Sequence, residues 1–149
     1  MTLQEQFLQN HGAPLLIEGR VVLQIDRIPI KRGKLRIEFR GNYSGSGIAL
    51  KSKNGGLELS DGEWVPLLHI WDEPGLPRVA EHRVDCQDGE LRIWNVYKNT
   101  HPGGRITTDC WTGNAGMIIE DVGRNVRRYK CSNGTGVFNP QFEFEITWK

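Results

Sequence analysis

The C-terminal stretch constrains the fold most. Phe142, Phe144, Ile146 and Trp148 alternate with Gln141, Glu143, Glu145 and Thr147. A period of two is the mark of a β-strand with one buried and one solvated face. The same period places Leu35, Ile37 and Phe39 opposite Arg36, Glu38 and Arg40, and Val21, Leu23 and Ile25 opposite Val22, Gln24 and Asp26. Further short strands are expected at 48–53, 57–60, 63–71, 79–86, 91–97, 105–111, 115–121 and 126–131.

Turn chemistry separates these runs. Asn54-Gly55-Gly56, Asp61-Gly62, Asp88-Gly89, Gly113-Asn114 and Gly123-Arg124-Asn125 supply the positive φ angles of tight hairpins. Two longer connections stand out, Trp71 to Pro77 and Lys98 to Gly104. The only helical signal is at the start, where Thr2 and Glu5 have capping-box spacing and Leu3 and Phe7 would share a face. No strand–helix alternation supports a parallel sheet. The expectation is an all-β, single-domain antiparallel β-sandwich spanning residues 1–149, with roughly nine to eleven strands and a short N-terminal helical segment.

The strand around Trp94 is apolar on both sides. Leu91, Ile93 and Tyr97 alternate with Trp94 and Val96, so it is either buried twice or exposes an apolar patch to a partner. It reads as the centre of the sheet.

Charge is balanced overall, with a formal net charge of +1, so no bulk attraction to nucleic acid or anionic membrane is expected. Locally it is uneven. Six bases between Arg27 and Arg40 stand against Glu38, whereas nine acids between Leu57 and Glu90 stand against Arg78 and Arg83. Such an imbalance could face a charged partner or simply line two solvated strand edges. A basic run around Tyr129 gives no continuous nucleic-acid surface, because Arg128 and Lys130 fall on one side and Arg127 and Tyr129 on the other.

Three cysteines, Cys86, Cys110 and Cys131, with no leader-like pattern at the start, fit free thiols in a reducing cytosol. Asn42-Tyr43-Ser44 and Asn133-Gly134-Thr135 match the glycosylation pattern and in that setting read as chance. No apolar run has the roughly 18 residues of a membrane helix.

Motifs for chemistry are missing. There is no Cys-x-x-Cys, no His-Glu-x-x-His, no phosphate loop and no nucleophile elbow. His82 and Cys86 share a face, but about 13 Å of strand separates them, too far for one metal ion. Cys110 beside Asp109 is the most suggestive nucleophile, but it reads first as a small buried hydrophobe on an inner strand face, the usual behaviour of a free cysteine. His69, His82, Asp109 and Cys110 are the residues to test for an unrecognised hydrolase. No metal or cofactor is expected.

Five tryptophans are many for this length. Trp148 belongs to the core alternation, whereas Trp71 and Trp111 lie near strand ends, where the loops of a sandwich gather. Aromatics beside acids and amides can anchor a protein or stack on a sugar. The candidate binding residues are therefore Tyr43, Trp71, Asp72, Glu73, Trp94, Trp111 and Asn114. By elimination, the functional expectation is a non-enzymatic cytosolic protein that binds another protein, one form being an immunity-type or other neutralising partner of a bacterial protein. The alternative is a carbohydrate- or small-ligand-binding module using the rim aromatics. Nucleic acid and membrane partners are disfavoured, and the sequence does not specify an oligomeric state.

Overall fold

A computed structural model describes residues 1–149. The chain opens with α1 (Leu3–Gln9), whose first turn is capped by the Thr2 hydroxyl accepting from the Glu5 amide at 3.2 Å. Then follow the strands β1 (Leu15–Ile17), β2 (Arg20–Val22), β3 (Asp26–Pro29), β4 (Arg32–Arg40), β5 (Gly47–Ser52), β6 (Gly55–Glu58) and β7 (Trp64–Val65). The remainder are β8 (Leu67–Trp71), β9 (Val79–Cys86), β10 (Glu90–Thr100), β11 (Ile106–Asp109), β12 (Gly116–Gly123), β13 (Val126–Ser132) and β14 (Phe142–Trp148). Fourteen strands exceed the number read from sequence for three reasons, the first being that β1 lies in a stretch where the sequence offers no strand signal. The stretch 63–71 breaks at Pro66 into β7 and β8, because proline has no amide to keep the ladder going. The alternation at 21–26 is split between β2 and β3, and it is Val22 and Asp26 that are buried there while Val21 is exposed.

All pairings are antiparallel. The large sheet has the order β12-β13-β14-β4-β9-β6-β7. The small sheet runs β11-β10-β5-β8, with β3 also pairing to β10. Leu35, Ile37, Phe39, Phe142, Phe144 and Ile146 of the large sheet meet Ile48, Leu50, Leu91, Ile93 and Ile28 of the small one in a single core of 22 buried residues, so the sandwich is one unit. Tyr129 stacks on Phe144 at 4.6 Å within it. Burying each such side chain contributes roughly 1.5–3 kcal/mol. A satellite core of Leu3, Phe7 and Val22 seats α1 and the β1–β2 hairpin against Ile118.

One polar network crosses the core. The Tyr129 hydroxyl donates to Asp26 Oδ2 at 2.6 Å, and Arg127 donates to both Asp26 oxygens at 3.0 and 3.2 Å. Arg127 also lies over the Trp148 ring at 5.3 Å and donates to Asp121. Asp26 thus ties β3 of the small sheet to β13 of the large one.

The local charge imbalance is settled in part by strand order. Basic β4 pairs with acidic β9, bringing Lys34 and Arg36 to Glu81 and Arg32 to Asp85. Part of each charged stretch is neutralised across this ladder, while Asp72, Glu73 and Asp88 pair with Arg78, Lys98 and Arg92 instead.

Candidate functional site

Register assigns each side chain of the small sheet to one face. Leu91, Ile93, Asn95 and Tyr97 of β10 point inward, as the contact from Asp26, opposite Ile93, to Tyr129 of the other sheet requires. Trp94, Val96 and Lys98 therefore point outward. Trp94 lies opposite Ala49, itself opposite His69; Val96 lies opposite Gly47, itself opposite Trp71. Small residues in the first half of β5, Gly47 and Ala49, leave room for the indoles. A Cβ on Gly47 would come within 2.8 Å of the Trp71 ring, so only glycine admits that ring so close to the sheet.

Trp111 completes the layer from an unexpected direction. It follows β11 in a bend with φ +58°, a left-handed conformation that is strained for a bulky side chain and typically costs 1–3 kcal/mol. Its indole N–H donates to the Gln24 carbonyl at 3.1 Å, and its ring lies 5.3 Å from that of Trp94. Trp94 is consequently only 8% exposed although it points away from the large sheet. Trp71 meets His69 edge-on at 6.3 Å and carries the Lys98 ammonium 4.6 Å from its ring centre. Lys98 is held there by an ion pair with Glu73. The layer ends in exposed aliphatics, Leu67 at 45% and Ile106 at 61%; register puts Leu67 opposite Lys51 and Ile106 opposite Thr100, both on the outward side.

The remaining sequence candidates lie at one end of the sandwich, where the loops leave the sheets. Asp72 is not an exposed rim acid. It is 1% exposed and its Oδ2 accepts from the Ser44 amide at 3.2 Å, the Ser44 hydroxyl at 3.1 Å and Arg78 at 3.4 Å. Arg78 donates as well to the Gly41 carbonyl at 2.5 Å and lies 4.7 Å from the Tyr43 ring centre. Asp72 and Arg78 thus pin the loop that presents Tyr43. Asn114 has the matching role for the facing loop, donating to the Gly136 carbonyl at 2.7 Å while accepting from the Leu3 amide at 3.1 Å. Between the two loops lies a cleft of about 690 Å³.

The seven candidates therefore form two regions. Trp71, Glu73, Trp94 and Trp111 belong to the outward face of the small sheet, and Tyr43, Asp72 and Asn114 to the end cleft. Sequence reasoning passed over Leu67, Ile106 and Lys98 on the face, and Arg78, Asn139 and Gln141 at the cleft. The Asn42 and Asn133 tripeptides carried a usable signal: both line the cleft, from opposite loops.

No thiol hydrogen-bonds to a histidine; the His101 ring nitrogen lies 2.7 Å from the Thr107 hydroxyl. Burial pushes the Cys131 thiol well above its ordinary range. Burial, then the Asp109 charge, raises that of Cys110. His82 faces Glu58 O on the large sheet at 2.9 Å, whereas His69 lies on the outward side of the small one. No three His, Cys, Asp or Glu residues are grouped to hold a metal ion. No helix is long and apolar enough to cross a membrane.

No family model, curated protein or solved structure matches this chain. The fold is a small all-β sandwich consistent with a protein- or ligand-binding role.

Proposed function

We propose that this chain is a binding protein whose working surface is the outward face of the small sheet, and that its partner is another protein. The observation that carries this reading is the indole layer of Trp71, Trp94 and Trp111 on the side of an antiparallel sheet that usually carries polar residues. Tryptophan is prominent among residues that dominate binding energy at protein interfaces. The strained backbone at Trp111 supports the reading further, because such strain persists only where the surroundings hold it.

The face also suggests the partner's character. Leu67 and Ile106 offer apolar contact, and neighbouring Lys51 has no acidic partner. A complementary surface is apolar with an acidic rim. An immunity-type or other neutralising protein in the cytosol is one form such a binder takes.

Capture from native-host lysate tests this, using the wild-type chain beside two variants. Leu67→Asp with Ile106→Asp places charge at the exposed ends of the face, and Arg128→Ala with Glu145→Ala alters the large sheet's outer face. A stoichiometric protein retained by wild type and the second variant but lost from the first is expected. Retention by all three, or capture of no protein, would overturn the proposal.

A further inference from the structure

We infer that the end cleft is a second, independent binding site whose ligand is a neutral oligosaccharide. This goes beyond the outward-face reading and shares no residue with it.

The lining chemistry selects the ligand. Asn42, Tyr43 and Ser44 form one wall, and Asn133, Asn139 and Gln141 belong to the other. No Asp, Glu, Lys, Arg or His lines the cleft, so neither a phosphate nor a cation finds a counter-charge there. Cys131 at the floor keeps its thiol neutral because burial raises its pKa. What remains is a set of amides and hydroxyls. Each amide both donates and accepts, as does each sugar hydroxyl. The side-chain amides of Asn42, Asn139 and Gln141 make no hydrogen bond within the protein, and the Asn133 side-chain oxygen accepts only from the Thr135 backbone N–H. These groups are therefore available to a ligand.

Tyr43 supplies the apolar part of the recognition. The residue is 49% exposed and lines the cleft, with the Arg78 guanidinium 4.7 Å from its ring centre. An aromatic ring held in this way offers a flat surface to the C–H face of a pyranose.

The cleft is also built in advance. One wall is fixed by Asp72 and Arg78, through Ser44 and Gly41. The other is fixed by the buried Asn95 amide, which donates to the Ser132 carbonyl at 2.9 Å, and by Asn114 on Gly136. The Asn139 backbone N–H also donates to the Ser132 hydroxyl at 3.0 Å. Below them the turn at Gly113 packs against Gly134 so closely that a Cβ on Gly113 would come within 2.1 Å of the Gly134 carbonyl oxygen. Walls held by such contacts spare a ligand the entropic cost of ordering loops. The volume, about 690 Å³, lies in the usual range for small-molecule sites.

The test is titration of the ¹⁵N-labelled full chain with maltohexaose, cellohexaose, mannohexaose and chitohexaose, following the side-chain amide resonances. At least one sugar is expected to shift the Asn42, Asn139 and Gln141 signals saturably. Tyr43→Ala should weaken that binding about tenfold or more, as expected for loss of an aromatic anchor, whereas Tyr43→Phe should preserve it. Gln141→Ala provides a second weakened variant, and thermal melting checks that each variant folds. Failure of all four sugars to shift these amides would overturn the inference. So would shifts indifferent to both Tyr43→Ala and Gln141→Ala, or saturable binding of inositol hexakisphosphate at the same resonances. Leu67→Asp with Ile106→Asp should leave sugar binding unchanged, so failure of either proposal is read separately.

Discussion

The two outer faces of this sandwich are made by different rules. On the large sheet, Arg36 and Glu38 of β4, Glu143 and Glu145 of β14 and Arg128 of β13 form a lattice of ion pairs that includes Arg40 and Glu81. Such a face is readily solvated, and its charges discourage a second sheet from stacking on it. On the small sheet, Ala49, Val96 and Trp94 are buried on the side that faces outward, beneath a layer that includes Trp71 and Trp111. The satellite core with α1 packs on Ile118 of the large sheet, and α1 borders the layer at Trp111, where Gln4, Phe7 and Leu8 line a hollow beside that indole. The contrast shows that outward direction and exposure are separate properties. A sheet can bury its outer residues by roofing them with its own aromatics, and the roof becomes a candidate contact surface.

That contrast can be broken most severely at Trp94. If the outward layer is packed as a core is packed, Trp94→Ala should cost about 3–5 kcal/mol in denaturant unfolding. A loss below about 1 kcal/mol would mean that the layer is ordinary surface. Next comes the tie between the sheets. Asp26→Ala removes the carboxylate shared by Tyr129 and Arg127 and should cost about 3 kcal/mol, again by denaturant unfolding; a neutral result would show that the sheets are held by apolar packing alone.

A smaller effect is expected in alkali. Burial raises the Tyr129 hydroxyl well above its ordinary value of 10.0 and the Cys131 thiol well above 9.0. Each stays protonated in the folded chain after its unfolded counterpart has ionised. Their stabilising effect is complete below the unfolded values and is lost as pH rises from those values toward the folded ones. Stability should therefore fall above about pH 9, by up to about 1.4 kcal/mol per pH unit for each group. Unfolding measured at increasing pH reads the slope, and Tyr129→Phe should flatten its upper part.

The smallest effect belongs to the charged face. Glu145→Ala removes the partner of Arg128 at 3.0 Å, yet partly exposed pairs of this kind contribute about 0–1 kcal/mol. A thermal unfolding change larger than that, weakened by salt, would mean that the ion-pair lattice is cooperative and would narrow the difference between the two faces.

Much of the architecture was legible from local chemistry. The bounds of β9, Val79–Cys86, are those of the predicted run, and the alternation of β14 correctly assigns Phe142, Phe144, Ile146 and Trp148 to the interior. These succeeded because a strand between two sharp turns has little freedom except which face goes inward. The dipeptide chemistry of Asp88-Gly89 similarly fixes where β9 turns toward β10. The site was less legible. Asp72 reads as a surface acid beside Glu73, but its partners, Ser44 and Arg78, come from another loop and from the far side of a proline-rich connection. Nothing within a few residues of Asp72 encodes its burial.

By itself, the sequence determined that this chain is built of antiparallel strands, which side chains alternate along each, and where most turns fall. These are consequences of backbone sterics and of a two-residue period, both readable locally. Only the tertiary structure decided that β4 lies beside β9 and cancels its charge, and that Trp111 folds back on Trp94. It alone brought the loops around Asn42 and Asn133 together as facing walls. Each of these joins residues far apart along the chain, and strand order is set by how the two hydrophobic faces close on each other, a property of the assembled sandwich that no single strand contains.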